Sequence, residues 1–399
     1  MYTIKVDLSQ SHFASVSEAI TSLGYEPSYC DSDSVLVWVD TLSPVQCKTI
    51  PPPWKAINRI PHSNVLCKKN LLSINIKRAK EFFPELYCFY PNTFIIPSER
   101  KNFLEVLKNS EREYLIKPSS GSFGRGIRII NHDSLIFTLN EEAVAQEYVK
   151  SFLLNDTKFD LRIFVLVSSV NPLKIYIFRD GVARFCSLKS KCNSKYSRIT
   201  NVALNRNANG SNVKDTSVLI SNVFSKMEKE GINTNEIWNK IDDIVVLTII
   251  SSYKYLLEGD KEKQYNYCFQ IFGFDILLDE KLNPYLLEVN YRPSLDYYTG
   301  FEKRMKVEMI RDAIRIAVPF GIYQELVSSR KWCWTRSSWL EFINKDPEIQ
   351  KICDKDLQNV LDESNYSLIY PVKETSDKYK KVIDKVLTLP KDQIVDLEK

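Results

Sequence analysis

The sequence predicts a mixed α/β (α+β) fold built around antiparallel sheets, and three observations predict it. A strand–helix–strand alternation opens the chain. A long apolar meander begins at "FDLRIFVLVSS", and a hairpin, "CFQIFGFDILLDEKLNPYLLEVN", follows about 100 residues later. With 399 residues, 44% hydrophobic and 26% charged, the chain can bury cores for two or three domains.

In order, "MYTIKVDL" and "SVLVWVD" read as strands around a helical "VSEAITSLG". Pro51, Pro52 and Pro53 break regular structure, which sets an N-terminal α/β subdomain at 1–67. A central subdomain, 68–149, holds a helix in "LLSINIKRAKEFFP", a strand–loop–strand in "YLIKPSSGSFGRGIRII" and a strand in "AVAQEYV". A C-terminal subdomain, 150–371, holds the meander, with turns expected at Asn171-Pro172 and Asp180-Gly181. The polar stretch from Asn205 to about Asn235 reads as a flexible excursion, and Trp238 to Leu257 as a long helix. Residues 372–399 form a tail.

The bulk numbers exclude more than they assign. A net charge of +4 is mildly basic, and the aromatics do not interleave with Lys/Arg, so no nucleic-acid partner is expected. Nine scattered cysteines without a CxxC pair, and an N-terminus unlike a secretory signal, predict a reducing, cytosolic setting. Three His, none beside a Cys cluster, argue against zinc. The apolar run Ile244 to Ser252 is too short to span a membrane.

The hairpin carries chemistry. Residues i and i+2 of a strand share a face, so Glu288 and Asn290 point to one place. A hairpin symmetric about Leu278 and Tyr285 sets Asp275 opposite Glu288, and Asn290 opposite Gly273, where the glycine leaves room. Facing carboxylates repel unless a cation compensates them, and a hard divalent ion, Mg²⁺ by preference, accepts these oxygens. The competing reading is a solvated strand end in a slipped register.

"IKPSSGSFGRG" offers small residues that let backbone N–H groups close over phosphate oxygens, with Lys117 as a point charge; a plain hairpin turn is the other reading. In "KFDLRIFVLV", Phe159, Leu161, Ile163, Val165 and Val167 make one apolar face, while Lys158, Asp160 and Arg162 make a charged stripe on the other. Arg184, on the returning strand, adds a second guanidinium able to stabilise phosphoryl or acyl-phosphate charge. Both could equally be exposed surface charges.

Taken together, "KPSSGSFGRGI", "VAQEYV", "KFDLRIFVLV…NPLKIYIFRDGVARF", "RITNVALNR", "CFQIFGFDILLDEKLNPYLLEVNYRPSL" and "SNYSLIYP" resemble the tubulin tyrosine ligase-like enzymes, a branch of the ATP-grasp fold. The resemblance runs in order from Ala56 to about Pro371. It implies ATP-dependent ligation of an amino acid to a protein carboxylate, usually on the acidic tubulin tail, through an acyl phosphate. By motif match, Asp275, Glu288 and Asn290 hold Mg²⁺. Lys69 and Lys117 contact nucleotide phosphates or base, and Gln146, Glu147, Tyr148, Val149 and Lys158 border adenine. Asp160 and Thr200 face the ribose, and Arg162, Arg184 and Asn201 face the γ-phosphate or acyl phosphate.

The sequence departs from the family pattern at Arg198, where His is usual, and at Arg292, where a small residue is usual. With Tyr291 these flank the expected amino-acid pocket, gripping a substrate carboxylate or pointing to solvent. The tail 372–399 carries seven Lys against six acidic residues, so capture of an acidic tubulin tail is expected from the core surface or a partner subunit. The resulting expectation is a tubulin glutamate ligase acting in the cytoplasm on the cytoskeleton, cilium, flagellum or basal body included. A non-catalytic nucleotide- or microtubule-binding protein of the same fold, or a ligase using glycine, tyrosine or another acceptor, is the alternative. The residues do not separate α- from β-tubulin, or initiation from elongation.

Overall fold

The computed structural model describes residues 4–29, 34–40, 55–119, 124, 126–134, 141–192, 194–205, 216–262, 267–318 and 346–390. The three prolines, most of the glycine-bearing loop, 206–215 and the last nine residues of the tail lie outside these ranges. Among the described residues no helix is long and apolar enough to cross a membrane.

The N-terminal sheet contains β1 (Lys5–Gln10), β2 (Glu26–Ser28), β3 (Leu36–Val39) and β4 (Ala56–Ile57), with β1 pairing in parallel with β2 and β3. The Ala14–Ser22 helix makes the crossover, burying Val16, Ala19 and Ile20 at helical spacing. The fifth strand of this sheet, Tyr267–Cys268, arrives from far downstream and pairs with β4. No local pattern announces that pairing.

The central sheet has four strands in the order β5 (Thr93–Ile96), β8 (Ala143–Glu147), β6 (Tyr114–Pro118) and β7 (Arg128–Ile130), all antiparallel. The third sheet is centred on β10 (Thr157–Val170), flanked by β11 (Leu173–Phe185) and β14 (Gln270–Leu278), with β15 (Pro284–Asn290) beyond β14. One face of β10, with Phe159, Leu161, Ile163, Val165 and Val167, packs into the core shared with the Thr234–Ser251 helix. The other face divides. Phe164 and Leu166 enter a second core under the Gly300–Ala317 helix, whereas Arg162 lines a cleft and Lys158 and Asp160 lie buried beside it on the same strand. This is the antiparallel, cleft-forming layout that the ATP-grasp resemblance implies.

Three sequence expectations are corrected. Asp180-Gly181 is no turn: β11 runs through it, and two extra residues are absorbed between the pairs Ile163–Gly181 and Val165–Ile177. Gly181 is required there because a Cβ would stand 2.3 Å from the Arg162 carbonyl oxygen. The excursion from Asn205 to Asn235 contains a strand, Ser217–Leu219, and a helix, Ile220–Lys229. Ile220, Val223, Phe224 and Met227 are its buried i, i+3, i+4, i+7 stripe, and Gly231, at φ +83°, ends it while Ile232 N–H reaches the Met227 carbonyl. Finally, the long helix breaks at Ser252 into Thr234–Ser251 and Tyr253–Glu262. Thr248 and Ser251 hydroxyls bond back to Ile244 and Thr248 carbonyls just before the break, competing with the helical ladder.

Candidate active site

The register expected at the hairpin is present. Asp275 pairs with Glu288 and Gly273 with Asn290. It arises differently from the symmetric hairpin, because the turn-proximal pairs, Ile276–Leu286 and Leu277–Tyr285, are shifted by one residue and a bulge at Leu287 restores the alignment.

Asp275 does not face its neighbour bare. On β10 its cross-strand partner is Arg162, whose Nε donates to Oδ1 at 2.5 Å and whose Nη2 donates to Oδ2 at 3.1 Å. Arg184 Nη2 stands 2.8 Å from Oδ2 and also donates to Asp160, which accepts from Thr200 Oγ1 at 2.7 Å. Carboxylates and guanidiniums therefore alternate, Asp160–Arg184–Asp275–Arg162, in a formally neutral row that is buried up to the partly exposed Arg162. The two guanidiniums hold the Asp275 carboxyl well below the usual carboxylate range. The glycine's role is also visible: a Cβ on Gly273 would lie 3.0 Å from Arg162 Cδ and 2.9 Å from Pro293 Cβ, so its absence gives Arg162 its path to Asp275.

The charged stripe of β10 is thus no solvated face: Lys158 and Asp160 are 6% and 3% exposed. Lys117, on β6, is equally buried, and its Nζ donates to Gln146 Oε1 at 2.6 Å. Burial pushes its ammonium down to about 8, with Glu288 opposing. Lys158 Nζ lies 4.1 Å from the Tyr148 ring centroid. Glu147 turns to Arg112 at 3.1 Å, and Val149 is half-buried.

Between the sheets lies a cleft of about 780 Å³. Lys69, Lys117, Arg162, Arg184, Asn201, Glu288, Asn290, Tyr291 and Arg292 all line it. Gly124 closes on it, with a Cβ position 3.1 Å from Asn201 Cβ. Arg198 is not among the lining residues. Its guanidinium pairs with Glu113 and stacks 4.6 Å from the Tyr148 centroid, so it braces the Tyr148 side of the site and takes neither course considered for it. Tyr291 lies under Arg59, whose guanidinium carbon is 5.2 Å from its centroid, and Arg292 is exposed at the rim.

The sequence model of the tubulin-tyrosine ligase family matches residues 48–324. The chain belongs to the tubulin-tyrosine ligase family. It is 30% identical over 332 residues to tubulin polyglutamylase TTLL13 of Mus musculus, covering 78% of this chain and 41% of that protein. It is 31% identical over 330 residues to tubulin polyglutamylase TTLL6 of Homo sapiens, covering 77% and 36%. It is 34% identical over 278 residues to tubulin monoglutamylase TTLL4 of Mus musculus, covering 65% and 23%. The chain therefore spans from under a quarter to about two fifths of the length of these relatives.

Whether this family member can take a magnesium–nucleotide pair is answered by its donor set. Asn290 Nδ2 donates to the Gly273 carbonyl at 3.4 Å, leaving its Oδ1 as an acceptor. Glu288 has a long contact to Lys69 at 3.8 Å and is about a quarter exposed. Asp275 Oδ1 accepts one bond and keeps a lone pair. Three oxygens of hard-ligand type on neighbouring positions, with buried Lys117 and half-buried Lys69 lining the same cleft, fit a divalent ion and phosphates. Among the described residues no group of three or more His, Cys, Asp or Glu clusters, and this site offers two carboxylates and one amide oxygen.

Sequence reasoning missed the far wall of the cleft: Asp296, Tyr298, Glu302 and Lys306, and, from the N-terminal sheet, His12 and Asp40. One signal existed. Glu302 and Lys306 fall within the buried stripe that includes Met305, Met309, Ile310 and Ala313, and charges inside an apolar helical face demand a reason.

Proposed function

We propose that the chain is an ATP- and Mg²⁺-dependent ligase that joins the amino group of a free amino acid, glutamate by preference, to glutamate side chains of the acidic tubulin tail. The single observation that carries the reading is the sheet rung Arg162–Asp275–Glu288, whose Arg162 and Glu288, together with Arg184, Lys117 and Lys69, line one cleft over the buried Asp275. The names of the relatives, tubulin polyglutamylases and a monoglutamylase, support glutamate and tubulin.

Amide formation from a carboxylate needs a leaving group, and phosphoryl transfer from ATP supplies one: the tail carboxylate becomes an acyl phosphate and ADP departs. The amine then attacks the acyl carbon, inorganic phosphate leaves, and the amine gives up a proton. Lys117 and Lys69 are suited to hold phosphates, with Gln146, Tyr148 and Lys158 bordering the base and Asp160 and Thr200 the ribose. Arg162, Arg184 and Asn201 are suited to neutralise charge on the transferring group. Glu288, Asn290 and Asp275 would hold Mg²⁺, which screens phosphate charge when bound. Side-chain nucleophiles are not needed. On this reading the chain works at the microtubule cytoskeleton, in the cytoplasm or a cilium, alone or with a partner subunit.

The test is incubation of the purified chain with tubulin, Mg-ATP and, separately, glutamate, glycine or tyrosine, followed by intact mass of the tubulin tails. A mass increase that requires ATP and glutamate is expected. No increase with any of the three, from a folded chain that binds Mg-ATP, would overturn the ligase reading.

A further inference from the structure

Lys306 is the one buried lysine that the proposed chemistry leaves without a task on the far wall of the cleft. It projects from the Gly300–Ala317 helix, is 5% exposed, and lines the cleft with Arg162, Asn290 and Ser294. A buried ammonium normally pairs with a carboxylate. Among the described residues Lys306 has none within ion-pair distance, and its polar contact is the Asp296 backbone carbonyl. Glu302, one turn back on the same helix, and Asp296 favour its charge from beyond ion-pair distance, and Glu302 Oε2 accepts from Tyr298 N–H at 2.8 Å. An ammonium has three donors, so two of them remain unspent at a cleft wall. Burial pushes the group down to about 8 against the opposing pull of Glu302 and Asp296, Arg162 adds to the push, and an anion entering the cleft favours the charged form.

We propose that Lys306 binds the α-carboxylate of the incoming amino acid and so positions its amine. The inference rests on the ligase reading above and deepens it. Arg162 joins the two halves of the cleft, bonding Asp275 on the metal side and bearing on Lys306 on the other. In an amino acid the amine and the α-carboxylate share one carbon. A cation beside the acyl-phosphate position therefore reaches the α-carboxylate while the nitrogen stays within reach of the acyl carbon. Every amino acid carries this group, so Lys306 sets the orientation of the nucleophile and does not choose its side chain.

The experiment measures binding of L-glutamate and of L-glutamic acid α-amide to the full chain, loaded with Mg²⁺ and a non-hydrolysable ATP analogue, by calorimetry. The wild type is expected to prefer the acid over the α-amide by about tenfold, the worth of one charge-assisted contact. Lys306→Met should lose that preference by weakening acid binding alone, with nucleotide affinity unchanged, and Lys306→Arg should restore part of it. In turnover, Lys306→Met should raise KM for glutamate and leave KM for ATP unchanged. A wild type that binds nucleotide but does not distinguish acid from amide overturns the inference and leaves the ligase reading standing; so does a Lys306→Met chain that keeps the full preference. A wild type that binds no Mg-nucleotide overturns both. The wild-type comparison needs no variant, so a misfolded substitution cannot shield the idea.

Discussion

Arg162 grips Asp275 at two points, 2.5 and 3.1 Å, across neighbouring strands, and it reaches there over a glycine. The guanidinium that the proposed mechanism sets on the transferring group is thus pre-positioned by a carboxylate that the same proposal assigns to the metal. Arg184 fixes the same carboxylate from the other side at 2.8 Å.

Gly273→Ala tests that pre-positioning. The new Cβ meets Arg162 Cδ at 3.0 Å and Pro293 Cβ at 2.9 Å, so one of them must shift. A displacement near 1 Å at a catalytic group costs on the order of 100-fold. The expected outcome is a fall in kcat of roughly that size with Mg-nucleotide affinity nearly kept. Unchanged kcat would show that Arg162 needs no such path.

Arg184→Met should cost stability, because it leaves Asp160 and Asp275 each short of a buried partner. Removing one member of a buried ion pair typically costs about 3–5 kcal/mol. Urea denaturation at neutral pH measures it. A loss under about 1 kcal/mol would mean that water replaces the guanidinium and that the row is wetter than its burial indicates.

Glu288→Gln separates metal binding from folding. The side chain is about a quarter exposed and its partner, Lys69, is 3.8 Å away, so the fold should hold with a change in stability within about 1 kcal/mol. Amino-acid transfer should fall below detection, and far more Mg²⁺ should be needed for nucleotide to raise the melting temperature. Full activity in this variant would falsify the assignment of Glu288 to the metal.

Lys117 gives the proposed nucleotide site an expected pH dependence with a definite sign. Its ammonium, pushed down to about 8 by burial, loses its proton as pH rises through that value. Phosphates favour the charged form, so nucleotide affinity should be flat below about pH 7 and fall above about pH 8, with proton uptake on binding at pH 8.5. Calorimetry in buffers of different ionisation enthalpy reads that uptake. Its absence at pH 8.5, with binding intact, would mean that Lys117 does not meet the phosphates.

Period-2 patterning in the sequence was enough to find β10, β14, β15 and the two halves of β11, because their alternation or continuous apolarity is local. The pairing of Asp275 with Glu288 rested instead on hairpin symmetry, and it holds because a bulge at Leu287 offsets the shifted turn. Motif order was enough to indicate the family. Composition misled where a short amphipathic helix lay inside a polar stretch, at Ile220–Lys229, and where hydroxyls broke a long helix at Ser252. It misled again at Asp180-Gly181, whose turn-like spelling serves a bulge instead of a reversal.

Tertiary structure alone decided what the charges do. Along β10, Lys158, Asp160 and Arg162 read equally well as a solvated ladder; only tertiary packing buries Lys158 and Asp160 and joins Asp160, Arg184, Asp275 and Arg162 into one row. Lys306 became part of the site only because the Gly300–Ala317 helix docks beneath β10, bringing to Arg162 a residue 144 positions away. Strand alternation and motif spacing depend on near neighbours in the chain. The neutralisation of a buried charge depends on whatever the fold carries to it from a distance, and that is settled by packing.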